Sequence, residues 1–141
     1  MPLTHQSVVS RFVPAIHPSY ARLLCAHLLG LGIDLAKVFE GSTLTWDYLL
    51  ERQRFISFEQ FSHIGIQGIQ LSGRPWLGLD ISSIIQVSSH GPLGYGALAS
   101  RDVRQAFKLV ERMMPTRIEL YTFELEETEE RAYFRLHENA E

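Results

Sequence analysis

The chain has 141 residues, 45% hydrophobic and 21% charged, and a formal net charge of -3. That is an ordinary globular balance, and the length fits one domain, or a fragment of a larger one, with a real core. No basic stripe marks a free-standing nucleic-acid binder, because the basic residues from Arg11 to Arg135 interleave with acids.

A single cysteine, Cys25, rules out an internal disulfide and agrees with a reducing cytoplasm. Met1 to Ser10 carries no basic segment followed by an apolar core, so no signal peptide is expected. No apolar run approaches the roughly 20 residues that span a bilayer. A soluble, cytoplasmic protein with no membrane partner is the expectation.

In chain order, residues 1–15 read as an arm ending near Pro14. His17-Pro18-Ser19 opens a helix, since proline is tolerated in a first turn. Tyr20, Leu23, Leu24, His27, Leu28 and Leu31 give it helical spacing, and Gly32 supplies a left-handed cap. Asp34 starts a short helical turn through Phe39, and Gly41 breaks it. Thr43 to Arg52 reads as another short helix, followed by a link at Arg54-Phe55-Ile56.

Ser57-Phe58-Glu59-Gln60 matches the capping box and predicts a helix to about Leu71. Its expected apolar set is Phe58, Phe61, Ile64, Ile69 and Leu71. Gly65 and Gly68 weaken it by about 1 kcal/mol each relative to alanine, with close packing against another backbone as the expected compensation. Trp76 to Val87 reads as a further helix after Pro75.

Next comes a run of glycines and small residues, Gly91-Pro92-Leu93-Gly94-Tyr95-Gly96-Ala97-Leu98-Ala99-Ser100. It predicts a tight corner, a short helix over 94–99, and Ser100 as the cap of the following helix. Arg101 to Met114 is strongly amphipathic, with Val103, Phe107, Val110 and Met114 in one stripe and Pro115 as the stop. Phe107, Val110 and Met114 are its expected packing residues.

The period then becomes alternating. Arg117 to Leu125 reads as a strand with Ile118, Leu120 and Thr122 on one face and Tyr121, Phe123 and Leu125 on the other. Glu126 to Glu130 reads as an acidic turn, and Ala132, Phe134 and Leu136 as a second strand. The fold class expected is α+β: about five to six helices, then a C-terminal β-hairpin. A two-stranded hairpin is marginal alone, so it calls for helices or more strands, and either a truncated chain or strand pairing between subunits is the expectation.

Candidate chemistry is sparse. The six histidines show no helical i, i+4 ligand spacing and no cysteine pair joins them, so no metal site is expected. No Gly-x-Ser-x-Gly elbow occurs, and the glycine run lacks the phosphate-loop lysine. Cys25 reads as a small buried residue, and the glutamates around 124–130 as a solvated turn. No catalytic residue, metal or cofactor is expected. Aromatic residues can line an apolar pocket with polar tips or simply fill a core. Trp76, His90, Tyr95, Tyr121 and Phe123 are the residues expected at a ligand pocket, if one exists.

An ordered set of motifs carries a resemblance. Leu28-Leu29-Gly30-Leu31-Gly32-Ile33-Asp34 comes first, then Ser57-Phe58-Glu59-Gln60-Phe61 and Leu77-Gly78-Leu79. His90 to Ser100 and a helix ending before Pro115 complete it. Together they resemble the N-terminal effector domain of AraC-family transcription regulators, in the subgroup of ornithine-utilisation regulators. The resemblance covers about residues 20 to 137. It implies a 16–141 effector-sensing and dimerisation domain, truncated relative to the family. It implies a small-molecule effector, such as an amino acid or other small metabolite, and a homodimer. It places DNA contact in a C-terminal helix-turn-helix pair that this chain lacks. The alternatives are a ligand-free oligomerisation module or, less favoured, a small enzyme.

Overall fold

A computed structural model describes residues 14–51 and 54–139. The arm expected over 1–15 lies outside the described residues, apart from Pro14 and Ala15. Two compact units divide between Ile85 and Gln86. Across both, the architecture is the α+β arrangement read from the sequence: seven helices among the described residues, then an antiparallel hairpin.

The first unit opens with strand β1, Pro14–Ile16. It pairs antiparallel with β2, Ile56–Ser57, with Ile16 opposite Ile56. The expected link at Ile56 is therefore a short strand, with Ile56 and Ile16 both buried. Two residues are too few for an alternating pattern to register, so only a long-range pairing reveals β2.

Helix α1, Pro18–Gly30, starts as expected: His17 caps it, its ring nitrogen taking the Ser19 N–H at 3.2 Å. It ends in a Schellman arrangement. The Ile33 N–H reaches the Leu28 carbonyl at 3.0 Å, and the Gly32 N–H reaches that of Leu29 at 2.9 Å. Gly32 holds the left-handed φ of 79° that this closure needs. Short helices α2 (Leu35–Val38) and α3 (Trp46–Leu50) follow, capped by Asp34 and Thr45. The Arg22 guanidinium donates to the Leu49 carbonyl at 2.6 Å, satisfying an orphan group at the end of α3.

Helix α4, Phe58–Ser72, begins at the predicted capping box: Ser57 and Gln60 exchange side-chain-to-backbone bonds of 3.1 and 3.0 Å. Its buried face is narrower than the expected apolar set. Ile64 and Gly68 are buried, whereas Phe58, Ile69 and Leu71 are exposed. At Gly68 an added Cβ would stand 3.0 Å from both a Leu28 and a Leu77 methyl, so side chains, not another backbone, fill the space there. Gly65 has nothing within 4 Å and no such compensation. Helix α5, Leu77–Ile84, is shorter than the predicted span; Ile85 is extended and Val87 belongs to the next element. Around α1, the side chains of Ala21, Leu24, Cys25, Leu28, Val38, Leu49, Ile64 and Leu77 form the buried core. Full burial of each leucine or isoleucine contributes about 1.5–3 kcal/mol.

The second unit runs from a 3-10 turn, Val87–His90, into α6, Pro92–Leu98. Helix α7 spans Val103–Met113, and a second 3-10 turn covers Met114–Thr116. Asp102, not Ser100, caps α7: its carboxylate takes the Gln105 N–H at 2.7 Å. Ser100 instead donates to the Gly96 carbonyl at 3.0 Å, closing α6. The helix starts at Val103, two residues later than read, so Asp102 and not Ser100 stands immediately before it.

Strand β3 is Tyr121–Glu127 and β4 is Ala132–Glu138. They pair in continuous register, Phe123 with Leu136 and Leu125 with Phe134. Ile118 and Leu120 precede the strand, so only the Tyr121, Phe123 and Leu125 face is apolar within the hairpin. Glu126 and Glu127 are strand residues, and the turn is Thr128 to Arg131, closed by a 2.8 Å bond from the Thr128 N–H to the Arg131 carbonyl. Phe107 of α7 meets Phe134 at 4.6 Å between ring centroids, and Phe123 meets Phe134 at 5.5 Å. Val103 is exposed, so its end of the predicted stripe is not covered.

Candidate functional site

The glycine run does form a corner. Gly91 takes φ 62° and ψ −136°, a conformation suited to a residue without Cβ. It turns the chain from the 3-10 segment into α6. The guanidinium of Arg117, itself buried, lies against this turn, its Nη1 3.5 Å from where a Gly91 Cβ would be. Three residues further, α6 presses on the segment before it. A Cβ on Gly94 would fall 1.7 Å from the Val87 carbonyl oxygen. His90 sits in the same corner. Desolvation, with the Arg117 charge second, lowers its pKa below the ordinary histidine value.

Beyond the corner, α6 and α7 enclose a cleft of about 360 Å³. The end of α6 contributes Gly96, Ala99 and Ser100, and α7 contributes Gln105, Lys108, Leu109 and Arg112. Gly96 and Leu109 bring the helices together: a Cβ on Gly96 would meet the Leu109 methyl at 2.6 Å. Lys108 and Arg112 stand four apart and so project from one face of α7. Arg104 continues that row one turn earlier.

Three cations at successive i, i+4 positions repel, by roughly 0.2–0.5 kcal/mol per pair. Arg104 is relieved by Glu127, its Nε bonded to the carboxylate. Lys108 and Arg112 make no ion pair among the described residues. Gln105 uses its amide oxygen to accept the Arg101 N–H at 2.9 Å, leaving its NH₂ without a hydrogen bond among the described residues. The lining therefore offers donors and positive charge and contains no carboxylate. Sequence reading singled out neither Lys108 nor Arg112; the row of cations four residues apart was the signal it passed over.

A second cleft, of about 300 Å³, lies in the first unit between the Gly41–Thr43 loop and the start of α4. Its polar groups are largely taken up by one another. Gln60 donates to Thr43 at 3.0 Å, His63 bonds the Glu40 carbonyl at 3.0 Å, and Ser57 and Gln60 form the capping box. This is a structural joint.

The five residues picked from sequence fall in several places, and none lines either cleft. Trp76 precedes α5 in the first unit and is 53% exposed. His90 is in the corner, and Tyr95 projects from α6, 63% exposed. Tyr121 and Phe123 share the apolar face of β3, where Phe123 packs on Phe134. Among the described residues no three His, Cys, Asp or Glu side chains gather to hold a metal ion. Burial pushes the Cys25 thiol up to about 12, so it is protonated at neutral pH. No helix among the described residues is long and apolar enough to cross a membrane.

Residues 32–141 match the model of the arabinose-binding domain of AraC transcription regulators, N-terminal. The chain belongs to that family. The match takes in α2 to β4, including the whole of the corner and the α6–α7 cleft. This AraC-type domain is also similar to the ornithine utilization regulator of Pseudomonas aeruginosa, 28% identical over 90 residues. That alignment covers 64% of this chain and 26% of the regulator, so it spans about a quarter of the longer protein.

Proposed function

We propose that this chain is the effector-sensing and dimerisation part of a cytoplasmic AraC-type transcription regulator, and that its effector is a small carboxylate-bearing metabolite held in the α6–α7 cleft. Membership of the AraC N-terminal family carries the regulatory reading. The cationic, carboxylate-free lining of the cleft carries the ligand class. An anion there would bond Lys108, Arg112 and the Gln105 NH₂, and charge-assisted bonds of this kind are about twice as strong as neutral ones. It would also offset the cation repulsion along α7.

The relative named above regulates ornithine utilization, so amino acids are the first class to test. The lining adds a preference: with two cations and no carboxylate, it favours acidic amino acids and other carboxylates over ornithine. Sensing works as a population shift, in which the ligand binds one arrangement of the regulator better than another. DNA contact belongs to helix-turn-helix units elsewhere in the regulator, and this domain performs no chemistry on its ligand. Trp76, His90, Tyr95, Tyr121 and Phe123 stay as a second set of proposed ligand contacts, favoured by the exposed rings of Trp76 and Tyr95.

A thermal-shift screen of amino acids, dicarboxylates, fatty acids and sugars tests the proposal. Bound ligand at about 100 times its Kd stabilises by about 2.7 kcal/mol. The expected result is a saturable shift with a carboxylate, lost in Lys108→Gln/Arg112→Gln and kept in Tyr95→Ala. Shifts that survive the double variant but vanish in Tyr95→Ala or Trp76→Ala move the site to the aromatic set. Flat shifts throughout count against sensing.

A further inference from the structure

The lining that α7 gives to the α6–α7 cleft has an order: Gln105 and Lys108, then Leu109, then Arg112. With a rise of about 1.5 Å per residue, Lys108 and Arg112 stand about 6 Å apart along the axis, on one face of the helix. Leu109 falls between their levels and meets Gly96, and Ala99 adds to the apolar part. The cleft therefore offers two positions for negative charge with an apolar step between them.

The acids nearest these cations are committed to other groups. Asp102 accepts the Gln105 N–H and pairs with Arg101 at 3.2 Å. Glu111 accepts the Leu125 N–H of the hairpin at 3.2 Å, and Glu127 holds Arg104. The neutral groups of the lining are also partly spent. The Gln105 oxygen accepts the Arg101 N–H, so its NH₂ is what it can offer a ligand. The Ser100 hydroxyl donates its hydrogen to the Gly96 carbonyl, so its oxygen remains as a neutral acceptor.

We propose that the effector of this cleft is a short aliphatic dicarboxylate without an amino group, of the length of glutarate or adipate. One carboxylate bonds Lys108 and the Gln105 NH₂, the other bonds Arg112, and the methylenes cover Leu109 and Ala99. The proposal rests on the cleft reading above and narrows its ligand class. Two negative charges answer two positive ones, and a monocarboxylate leaves one cation unmatched. An acidic amino acid brings both carboxylates but adds an ammonium. That ammonium would find no carboxylate in the lining, only neutral acceptors, and would stand beside two like charges. Sulfate carries two charges in a compact ion. To reach both cations it must draw their heads together, and it leaves the apolar step uncovered.

Calorimetric titration of the whole chain with glutarate, adipate, the monoamide of glutarate, glutamate and sulfate tests the idea. The monoamide keeps the length of glutarate and removes one charge. A saturable, one-to-one interaction with glutarate or adipate is expected, with the monoamide about tenfold weaker, the loss of one charge-assisted bond. Glutamate and sulfate should also be weaker. In Lys108→Gln and in Arg112→Gln the preference for the diacid over its monoamide should disappear, while the unfolding midpoint without ligand stays that of the parent. Equal affinity for glutarate and the monoamide, with both lost in Lys108→Gln/Arg112→Gln, overturns the dicarboxylate and leaves a one-carboxylate cleft standing. Glutamate binding tighter than either diacid also overturns it, in favour of an amino acid. Sulfate binding as tightly as the diacids reduces the cleft to an adventitious anion site and overturns it too. Diacid binding that survives the double variant, or no binding by any carboxylate, overturns the cleft reading together with this one.

Discussion

Replacing Gly94 by alanine probes the corner with one methyl group. The added Cβ would stand 1.7 Å from the Val87 oxygen, 2.7 Å from its carbonyl carbon and 3.3 Å from the Ser88 nitrogen. All three atoms are backbone, so no side chain can swing aside. Restoring an ordinary C···O contact near 3.3 Å requires a displacement of about 1.6 Å between α6 and the 3-10 turn. Overpacking of well-packed sites costs typically 1–3 kcal/mol, and rigid backbone puts this case at about 3 or above. Both tryptophans, Trp46 and Trp76, lie in the first unit, so their fluorescence reports on the wrong part of the chain. Hydrogen exchange of the α6 and α7 amides in urea is the suitable assay. With an m-value of about 2 kcal/mol/M, the loss moves the midpoint of this unit down by about 1.5 M. Gly65→Ala is the matched control of opposite sign. It sits inside α4 with nothing within 4 Å of its Cβ and should stabilise the first unit by about 0.5–1 kcal/mol. A Gly94→Ala variant within about 0.5 kcal/mol of the parent refutes the corner, since that is the spread of surface substitutions.

Gly68→Ala meets movable leucine methyls at 3.0 Å rather than backbone, and should cost less than Gly94→Ala, about 1 kcal/mol in the same denaturation experiment. Asp102 is held below the ordinary carboxylate range chiefly by the Gln105 N–H, with Arg101 and Arg104 adding to it. A folded pKa below the unfolded one means the cap contributes above the unfolded value and is lost as pH falls through the folded one. Protection of the Gln105 amide should therefore fade only in the acid range; Asp102→Asn should keep it and Asp102→Ala should lose it, and equal protection in both variants contradicts the cap. Cys25 should resist a thiol reagent at pH 8 while folded and react fully in denaturant; rapid native labelling would show that the α1 core opens readily.

Several local features were on display in the sequence, though the α7 cap and the end of α5 were not. The capping box at Ser57, the proline start at Pro18 and the Gly32 closure each depend on a few adjacent residues, and each formed as read. Pairings across the chain were not displayed. Strand β2 exists because Ile56 meets Ile16, forty residues earlier in the chain. The stripe on α7 was visible from spacing, but its partial exposure depends on how much of it the hairpin covers. For the candidate site, the row Arg104, Lys108 and Arg112 was on view, and the fact that only Arg104 finds an acid was not, because Glu127 reaches it from another element. The aromatic set was chosen by residue type, and type alone did not reveal that Phe123 is engaged with Phe134.

The central claim is that this AraC-type domain holds a small carboxylate between α6 and α7. Amide chemical-shift mapping of the labelled chain against the best compound from the thermal screen tests it most directly. The account predicts saturable shifts concentrated at Gly96, Ser100, Gln105, Lys108, Leu109 and Arg112, with the first unit unmoved. Shifts centred elsewhere, or none with any compound at millimolar concentration, would contradict it.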